Sequence, residues 1–434
     1  MARRPLRFLK DLSSLPSASY YRRALETVAE QSGNWPSQWE FRASATWEWL
    51  WSILAHVFTR KKPFVAASAP DYSIYNDPSE EIIIGLAGDW GTGTEESQFA
   101  ADGIIRSKPD YTIHLGDIYL VGDRRSTWTN CLGKIPPRHK IPPHHKYPYT
   151  PVKWPHGKKG SFAMNGNHEM YAKGIGYFED FLPTLGIAGA DGKNQGQKTS
   201  FFALVFEKWI VVAVDTGYNS EGIPLIGQLP ASTNPTLRWL EDHFTNPSCK
   251  LEKPLVEWLQ ERVKPLLNGR SVVLMSHHNY FTEFPKWYSY SRPAQQILDG
   301  LGVKDAIWLW AHEHRLAGYK YHGTTDLQCH GRCIGNGGMP VSLCNQVPAQ
   351  SSNLLFYDNR TYQAEDKFGW NGYATVKFAG DLMTIRYYDI HSIQPNLQDQ
   401  LLIEEEFRHT GGPIEAQTNQ ICLEKDFYGP QKWG

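Results

Sequence analysis

Five short segments of the sequence carry polar side chains that can bind a cation or transfer a proton. The segments are GDWG at 88–91, GDIY at 116–119, GNHE at 166–169, SHH at 276–278 and AHEH at 311–314. A lone aspartate in such a segment is usually a cap or turn residue. Taken together, the carboxylate, amide and imidazole groups form a donor set that suits borderline divalent metals such as Mn, Fe or Zn. The collection therefore predicts a metal centre.

Each polar segment directly follows a short apolar run. The runs are Ile82–Ala87, Tyr111–Leu115, Phe162–Met164, Val272–Met275 and Ile307–Trp310. Apolar runs of this length are typical of strands that are buried on both faces. Helical patterns lie between several of them, at about 95–107, with Thr92 and Glu95 spaced as a capping box, and at about 254–264, which Pro265 should stop or kink. The alternation predicts an α/β domain with its polar site at the carboxyl ends of the strands.

The ordered set of five segments resembles the calcineurin-like metallophosphoesterases, and GDxG in the first segment is closer to their purple acid phosphatase branch. The resemblance covers about 81–390. It implies an α/β four-layer sandwich, in which two packed mixed β-sheets are flanked by helices, with an N-terminal helical appendage in this chain. It also implies hydrolysis of a phosphate ester, for which we expect a phosphomonoester, by a hydroxide that two metal ions activate.

The resemblance also implies a set of metal ligands. Asp89 and His314 would hold the first ion, Asp117 would bridge both ions, and three further residues would hold the second ion. The complete implied set is Asp89, Asp117, Asn167, His277, His312 and His314. The ions would be divalent or trivalent Mn, Fe or Zn, and these ligands do not select one of them.

Four further residues take roles near the implied ions. His168 resembles the family histidine that protonates the leaving oxygen or stabilises the transition state. Glu169 and His278 would orient His168 or a metal ligand. Arg315 is a candidate phosphate contact, although it could simply face solvent. Aromatic residues near the motifs could line the pocket or be ordinary packing, and they are Trp90, Tyr119, Tyr171, Tyr280, Phe281 and Trp287.

The sequence departs from the family pattern at the first ion. The purple acid branch has a tyrosine ligand three residues after the bridging aspartate, whereas this chain has Leu120 there and Tyr119 one residue earlier. In the branch of the family that has Asp-x-His in the first segment, the partner ligand would be at position 91, which is Gly91 in this chain. Since a one-residue offset on an extended backbone changes the direction of a side chain, we favour water over Tyr119 as the missing ligand. We accordingly expect no tyrosinate-to-iron colour.

The chain divides into three predicted regions. Residues 1–78 form a helical N-terminal appendage and linker, 79–392 form the metallophosphoesterase domain, and 393–434 form a polar tail with one strand near Leu401–Phe407. Within the domain, 124–160 is rich in proline and basic residues and is predicted to be a long surface loop. Alternating residues around Ala379-Gly380-Asp381 predict a hairpin of Tyr373–Phe378 and Leu382–Tyr388.

Two of these regions leave their partners open. An apolar stripe in the appendage could dock on the domain, which we favour, or could contact a membrane surface or another protein. The stripe consists of Trp47, Leu50, Trp51, Leu54 and Phe58. The basic loop could contact nucleic acid phosphates, but a solvated loop is the preferred interpretation because the whole chain is nearly neutral.

Composition excludes several classes of protein. Lys and Arg total 44 and Asp and Glu total 45, so bulk charge gives no reason to expect nucleic acid or an anionic membrane as a partner. Apolar residues make up 41%, which excludes a disordered chain. The sequence shows no signal peptide and no long apolar run, so we expect a cytoplasmic protein without a transmembrane helix.

The sequence leaves three functional hypotheses open. The first is an active phosphomonoesterase. The second is a metal-binding scaffold that has lost turnover and acts through a partner, which the missing ligand of the first ion favours and the presence of His168 opposes. The third is a phosphodiesterase or nuclease with the same metal chemistry. A phosphatase assay with added manganese separates the first two hypotheses, and a steep salt dependence of binding favours the third.

Overall fold

The computed structural model describes residues 55–56, 59–64, 73–135, 151–220, 248–285, 287–343, 353–363, 368–394 and 396–430. The apolar stripe of the N-terminal appendage and the centre of the basic loop, 136–150, lie outside the described residues. The strands are β1 (Ile74–Asn76), β2 (Glu81–Ala87), β3 (Tyr111–His114), β4 (Gly160–Ala163), β5 (Gly186–Ile187), β6 (Phe202–Val205), β7 (Trp209–Ala213), β8 (Ser271–Met275), β9 (Asp305–Trp310), β10 (Leu316–His322), β11 (Gln328–Ile334), β12 (Leu354–Asp358), β13 (Thr361–Gln363), β14 (Phe368–Gly369), β15 (Gly372–Ala379), β16 (Leu382–Asp389), β17 (Leu401–Arg408), β18 (Glu415–Gln420) and β19 (Phe427–Tyr428). The α-helices are α1 (Glu95–Arg106), α2 (Arg124–Asn130), α3 (Asn167–Tyr171), α4 (Lys253–Trp258), α5 (Lys264–Leu267) and α6 (Ser291–Leu301).

Within the described residues, the strands form two large mixed sheets. Sheet A has nine strands in the order β1-β6-β7-β8-β9-β11-β10-β12-β19, and sheet B has eight in the order β18-β17-β16-β15-β2-β3-β4-β5. The strands that precede the polar segments run parallel to one another inside their own sheet, β2-β3-β4 in sheet B and β8-β9 in sheet A. Helix α1 connects β2 to β3, and α6 connects β8 to β9, as parallel neighbours require.

Three apolar cores define the layers of the molecule. One core lies between the sheets and contains inward-facing side chains of both, such as Ile84 and Met275. A second core lies between the other face of sheet A and the helices α4 and α6, and a third lies between the other face of sheet B and α1. Successive residues of β8 alternate between the first two cores, because side chains of a strand point to opposite faces. The predicted α/β sandwich of two mixed sheets with flanking helices is confirmed.

The five predicted strands are all present, but they do not share one sheet. The first three are β2, β3 and β4 of sheet B, whereas the last two are β8 and β9 of sheet A. Backbone hydrogen bonds join the ends of the two sheets: the amide of Gly88 donates to the carbonyl of Ile334 at 3.0 Å, and the amide of Gly337 donates to the carbonyl of Gly88 at 2.9 Å. The polar segments therefore meet at one end of the sandwich, between the two sheets.

The C-terminal region is more structured than the predicted polar tail. The strand expected near Leu401–Phe407 is β17, and it continues sheet B together with β18, while β19 joins the edge of sheet A. Glu405 of β17 forms a bidentate ion pair with Arg332 of β11, with N–O distances of 2.6 and 2.7 Å, and both side chains are fully buried between the sheets. Both large sheets therefore extend past residue 392 into the C-terminal region. The polar composition of that region is explained in part by β18, an edge strand with a largely polar, exposed face.

Local predictions for the helices need three corrections. The N-cap of α1 is Thr94, whose hydroxyl accepts a hydrogen bond from the amide of Ser97, and not Thr92. The basic region begins with the helix α2, which Asp123 caps through the amide of Ser126, before the proline-rich part starts. The helix predicted at 254–264 runs past Pro265, because a wide π turn at Leu259–Val263 precedes the proline.

The predicted hairpin is formed by β15 and β16, which pair from Gly372↔Asp389 to Ala379↔Leu382. Gly380 has a φ of 57°, which the tight turn requires. Strand β15 also pairs with β2, so the hairpin supports the strand that precedes the first polar segment. Among the described residues, no helix is both long and apolar enough to cross a membrane.

Candidate metal centre

The polar residues at the strand ends sit on sharply turned backbone. Asp89, Asp117, His312 and His314 have φ angles of 53°, 72°, 67° and 48°, in the left-handed region that side chains rarely adopt. Such strain is costly and is concentrated at functional sites, where surrounding contacts hold it in place. In this chain the turns bring side chains from five separate strand ends into one cluster.

Three predicted ligands of the second ion converge around one imidazole nitrogen, and we call Asn167, His277 and His312 the second donor group. Nε2 of His277 lies 3.1 Å from Oδ1 of Asn167, 3.3 Å from Nδ1 of His312 and 3.3 Å from Oδ1 of Asp117. On its other side, Nδ1 of His277 lies 2.9 Å from the carbonyl of Leu115, which fixes the ring so that Nε2 faces the group.

The remaining predicted ligands gather around the hydroxyl of Tyr119, and we call Asp89, Tyr119 and His314 the first donor group. This hydroxyl lies 2.8 Å from Oδ1 of Asp89, 3.0 Å from Oδ2 of Asp117 and 2.9 Å from Nε2 of His314. The extended backbone that argued against Tyr119 is not present, since Asp117 has a φ of 72°. The two oxygens of Asp117 thus face different donor groups.

The buried charges of the cluster act strongly on one another. Burial raises the pKa of Asp89 well above its usual range, and the nearby charge of Asp117 adds to the rise. Burial also opposes a charge on His277, but the carboxylate of Asp117 overcomes it and raises the pKa of His277 to about 9. Conversely, the charge of His277 holds the pKa of Asp117 well below its usual range despite burial. A proton on His277 thus compensates Asp117.

The donor set fits divalent metal ions. Asp89, Asp117 and His277 each offer a ligand atom within 4.8 Å of the others, and so do His277, His278 and His312. Both carboxylates are fully buried, where an uncompensated negative charge is expensive and a bound cation removes the cost. Oxygen and imidazole ligands of this kind suit Mn, Fe and Zn, and they do not identify the metal.

Glycines make this close approach possible. A Cβ atom on Gly166 would lie 2.1 Å from Oδ1 of Asp117, and a Cβ atom on Gly116 would lie 2.6 Å from Nδ1 of His277. Gly116 also has a φ of 97°. The geometry of the cluster therefore requires glycine at the first position of the GDIY segment and of the GNHE segment.

His168 lies beside the cluster with a defined orientation. Its Nδ1 lies 2.5 Å from the carbonyl of Leu120, so Nδ1 carries the proton and Nε2 is left facing Asp117, at 3.8 Å from Oδ2. Its backbone amide donates to Oδ1 of Asp117 at 3.0 Å. Burial lowers the pKa of His168, although the charge of Asp117 partly offsets this effect. Its side chain remains 14% exposed, unlike the buried donors.

Two other predicted site residues, His278 and Glu169, lie beside the donor groups. His278 packs its ring 4.5 Å from that of His312, and its Nδ1 lies 3.0 Å from the hydroxyl of Thr216. Glu169 is fully buried and accepts a hydrogen bond from the amide of Gly166 at 3.1 Å, so it supports the backbone next to Asn167.

Arg315 is buried, and the described contacts do not bring it to either donor group. Its guanidinium donates to the carbonyls of Glu313 and Ser342, at 3.2 and 3.3 Å, and lies 3.8 Å from the ring centre of Phe284. The alternative that Arg315 faces solvent is therefore wrong.

The aromatic candidates separate into core and site residues. Trp90, Tyr280 and Phe281 are buried in the apolar cores. Tyr171 packs 4.8 Å from the ring of His168 and accepts a hydrogen bond from Nδ2 of Asn167, which turns Oδ1 of that amide toward His277. Trp287 lies against the two histidines of the AHEH segment, His312 and His314.

Thr216 contacts His278, although it lies outside the five polar segments. It follows β7 in the segment Asp215-Thr216-Gly217, and this segment repeats the signal of an apolar run that ends in polar residues and glycine. A Cβ atom on Gly217 would lie 2.3 Å from the carbonyl of Asn165, so this loop packs directly on the GNHE segment.

Comparisons with known proteins identify one family and two distant structural likenesses. The chain is similar to two solved structures, GAP50, described as the anchor in the inner membrane complex of Plasmodium, and PhoD, each at 11% identity. The first comparison covers 80% of this chain and 91% of GAP50 with a TM-score of 0.43, and the second covers 82% of this chain and 74% of PhoD with a TM-score of 0.47. Neither likeness bears on function, and no curated protein sequence matches. The sequence model of the calcineurin-like phosphoesterases matches residues 82–316, more than half of the chain, and this protein belongs to that family.

Proposed function

We propose that this protein is a metal-dependent phosphoesterase that hydrolyses phosphomonoesters at a two-metal centre. The observation that carries the proposal is the position of Asp117 between the two donor groups. Its Oδ1 lies 3.3 Å from Nε2 of His277, while its Oδ2 lies 3.0 Å from the hydroxyl of Tyr119. A carboxylate that offers one oxygen to each of two donor groups is suited to bridge two ions, and family membership supports the same reaction class.

In this proposal, Asp89, His314 and Asp117 hold the first ion, and Asp117 shares the second ion with the second donor group. Paired ions supply the Lewis-acid charge that makes water more acidic and offsets the negative charge of a phosphoryl group. The protein's own contribution is to hold these donors rigidly, since each is fixed by a backbone contact or a neighbouring ring.

His168 is the proposed proton donor to the leaving oxygen. Because its Nδ1 proton is held on the carbonyl of Leu120, Nε2 is the nitrogen that gains and loses a proton. The partial exposure of this side chain supports a position where substrate can reach it. Proton transfer of this kind typically contributes about two to four orders of magnitude in rate.

Tyr119 argues against the scaffold hypothesis. That hypothesis depended on a missing protein ligand at the first ion, and the hydroxyl of Tyr119 lies within 3.0 Å of atoms of Asp89, Asp117 and His314. We therefore propose Tyr119 as the additional ligand of the first ion. The nuclease hypothesis gains no support, because the centre of the basic loop lies outside the described residues.

The central test is the variant Asp117→Asn. With manganese added, we expect the wild-type protein to hydrolyse an aryl phosphomonoester faster than an aryl phosphodiester. Asp117→Asn should lower this turnover by about two to three orders of magnitude or more, since it removes the charge shared by both donor groups. Bound metal, measured by elemental analysis, should fall below that of the wild type.

The matched control is Asp191→Asn, which changes an exposed carboxylate outside the cluster. Its turnover and metal content should equal those of the wild type, and circular dichroism should show that both variants are folded. Undiminished turnover by Asp117→Asn would refute the bridging role. A wild type that binds manganese but turns over no ester would instead support the scaffold hypothesis.

A further inference from the structure

We infer that Glu313 is a positioning residue for both metal ions: by accepting a hydrogen bond from Tyr319, it holds the AHEH segment so that the two histidines of this segment reach different ions. This inference rests on the proposed function, because Glu313 lies between two proposed ligands of that site. It depends on three features of the structure: the directions of the histidines, the strained backbone between them and the buried contact of Glu313.

The two histidines of the AHEH segment face different donor groups. Nδ1 of His312 lies 3.3 Å from Nε2 of His277, in the second donor group. Nε2 of His314 lies 2.9 Å from the hydroxyl of Tyr119, in the first donor group. Two residues that are so close in the chain thus supply both parts of the centre, and a rotation of the segment would displace one ligand of each proposed ion.

The backbone that directs these histidines is strained. His312 and His314 have φ angles of 67° and 48°, which residues with side chains rarely adopt. Across His312, the amide of Glu313 donates to the carbonyl of Ala311 at 2.7 Å. A turn of this size with a positive φ at its centre is rare, and it persists only where surrounding contacts hold it in place.

Contacts with neighbouring strand ends hold the two ends of the segment. The amide of Ala311 donates to the carbonyl of His277 at 3.0 Å. The carbonyl of Arg315 accepts a hydrogen bond from the amide of Gly335, just after β11, also at 3.0 Å. These bonds fix where the strained turns begin and end, and Glu313 lies at the centre of the span between them.

The side chain of Glu313 anchors this centre in the core behind sheet A. Glu313 and Tyr319 of β10 are both fully buried, and the hydroxyl of Tyr319 donates to Oε2 of Glu313 at 2.8 Å. The ring of Tyr319 packs 5.2 Å from that of Phe281 and 5.5 Å from that of Trp310, which fixes the position of its hydroxyl. A carboxyl group is costly to bury among apolar side chains, and what it offers over an apolar residue is a directional hydrogen bond.

A group behind a metal ligand influences how tightly the metal is bound, and replacing it typically lowers metal affinity about 10–100-fold. The amide of His312 also donates to Oδ2 of Asp89 at 2.8 Å, but this bond joins two proposed ligands to each other and does not anchor them in the core. Because Glu313 lies between one ligand of each ion, loss of its anchor should weaken both ions together.

The experiment measures manganese binding to the full-length protein by calorimetry, and the manganese requirement of phosphatase turnover. Tyr319→Phe removes the hydroxyl alone. The double variant Glu313→Leu with Tyr319→Phe replaces both polar partners by apolar groups, a change that can be nearly neutral for stability or stabilising. Glu313→Gln keeps an oxygen that can accept the hydrogen bond. The matched control is Tyr387→Phe, because Tyr387 of β16 is also fully buried and donates to a buried glutamate, Glu405, at 2.8 Å.

We expect Tyr319→Phe and the double variant to raise the dissociation constants of both manganese ions about tenfold or more. The manganese concentration that gives half-maximal turnover should rise in parallel, while kcat at saturating manganese should change less. Glu313→Gln and Tyr387→Phe should retain the wild-type constants. The melting temperature of the metal-free double variant, measured by circular dichroism, should be at least that of Tyr319→Phe, so that metal affinity and stability are separated.

Three results would overturn the inference. Unchanged manganese affinity in Tyr319→Phe and the double variant would make the contact purely structural, and weaker binding of a single ion would limit Glu313 to one histidine. Equal weakening by Tyr387→Phe would show that loss of any buried hydrogen bond has this effect. In all three cases, a wild type that binds two ions and hydrolyses the ester leaves the proposed function intact. A wild type that binds no manganese and hydrolyses no ester refutes both.

Discussion

At the scale of single residues, Tyr119 shows how a small backbone feature changes the chemistry of a site. On an extended chain, a tyrosine two residues after Asp117 would point to the opposite side from one three residues after it, where the purple acid branch has its ligand. The positive φ of Asp117 redirects the chain, and the hydroxyl reaches Asp89, Asp117 and His314. Burial and the two carboxylates raise the pKa of Tyr119 well above its usual range, so this phenol is neutral unless a cation offsets the cost.

This geometry changes our expectation for the iron-loaded protein. If Tyr119 binds the first ion, a protein loaded with ferric iron should show a tyrosinate-to-iron absorption band in the visible spectrum. Tyr119→Phe should lose the band while it retains its fold by circular dichroism. Tyr171→Phe is the matched control, because the contacts of Tyr171 with His168 and Asn167 place it on the side of the second donor group. If the wild type binds iron but is colourless, Tyr119 is not a ligand, and water is the expected ligand at this position.

Residue types and their order were sufficient to predict which side chains would meet. Asp89, Asp117, Asn167, His277 and His312 lie in one cluster because each ends a buried strand, and a buried strand is visible in sequence as an apolar run. The direction of Tyr119 was not visible, because it depends on the φ of a neighbouring residue. The burial of Arg315 was not visible either, since it depends on Phe284, which is distant in sequence.

At the scale of elements, the turn between β4 and α3 shows why some positions of the cluster accept only glycine. Gly166 lets the GNHE segment pass directly over Asp117, whose Oδ1 accepts a hydrogen bond from the amide of His168. The apolar run that became β4 predicted the strand, but the distance between the turn and Asp117 comes from the parallel pairing of β3 with β4. A larger side chain at 166 would clash with Asp117, and the local sequence does not reveal this clash.

We therefore expect Gly166→Ala to impair the site without unfolding the domain. The added Cβ would lie 2.1 Å from Oδ1 of Asp117, so the carboxylate must move. A displacement of about 1 Å at a catalytic group typically lowers turnover about a hundredfold. Phosphatase kinetics and metal content measure the effect.

The matched control for this variant is Gly412→Ala, whose Cβ would lie 3.6 Å from the hydroxyl of Thr410, an ordinary contact. Wild-type turnover and metal content are expected for it. Wild-type turnover in Gly166→Ala as well would mean that the backbone at 166 adjusts and does not constrain Asp117.

At the scale of the whole molecule, the two sheets are joined by charge as well as by apolar packing. We propose that the catalytic domain extends beyond residue 392 to include β17, β18 and β19, since Glu405 of β17 pairs with Arg332 inside the sandwich. Tyr387 and Thr418 also donate hydrogen bonds to this carboxylate, at 2.8 and 2.7 Å. Sequence could not predict the pair, because both residues look like ordinary charged positions of alternating strands.

Glu405→Gln should strongly destabilise the protein, because it leaves the charge of Arg332 buried without its partner. Breaking such a buried pair typically costs about 3–5 kcal/mol, measured as the free energy of unfolding in urea. Glu404→Gln is the matched control on the same strand, since Glu404 pairs with Arg386 at the surface and such pairs contribute about 1 kcal/mol or less. Equal losses in the two variants would show that the buried pair is not a special link between the sheets.

The strand order of sheet B also bears on when, during synthesis of the chain, the metal site can form. Every proposed metal ligand has been synthesised by residue 314, but β2 must pair with β15, and sheet B is complete only after β18 ends at Gln420. At about 5–20 residues per second, a ribosome needs roughly 5–20 s to make the intervening chain. We therefore expect stable metal binding only after Gln420 has been synthesised and sheet B can be completed.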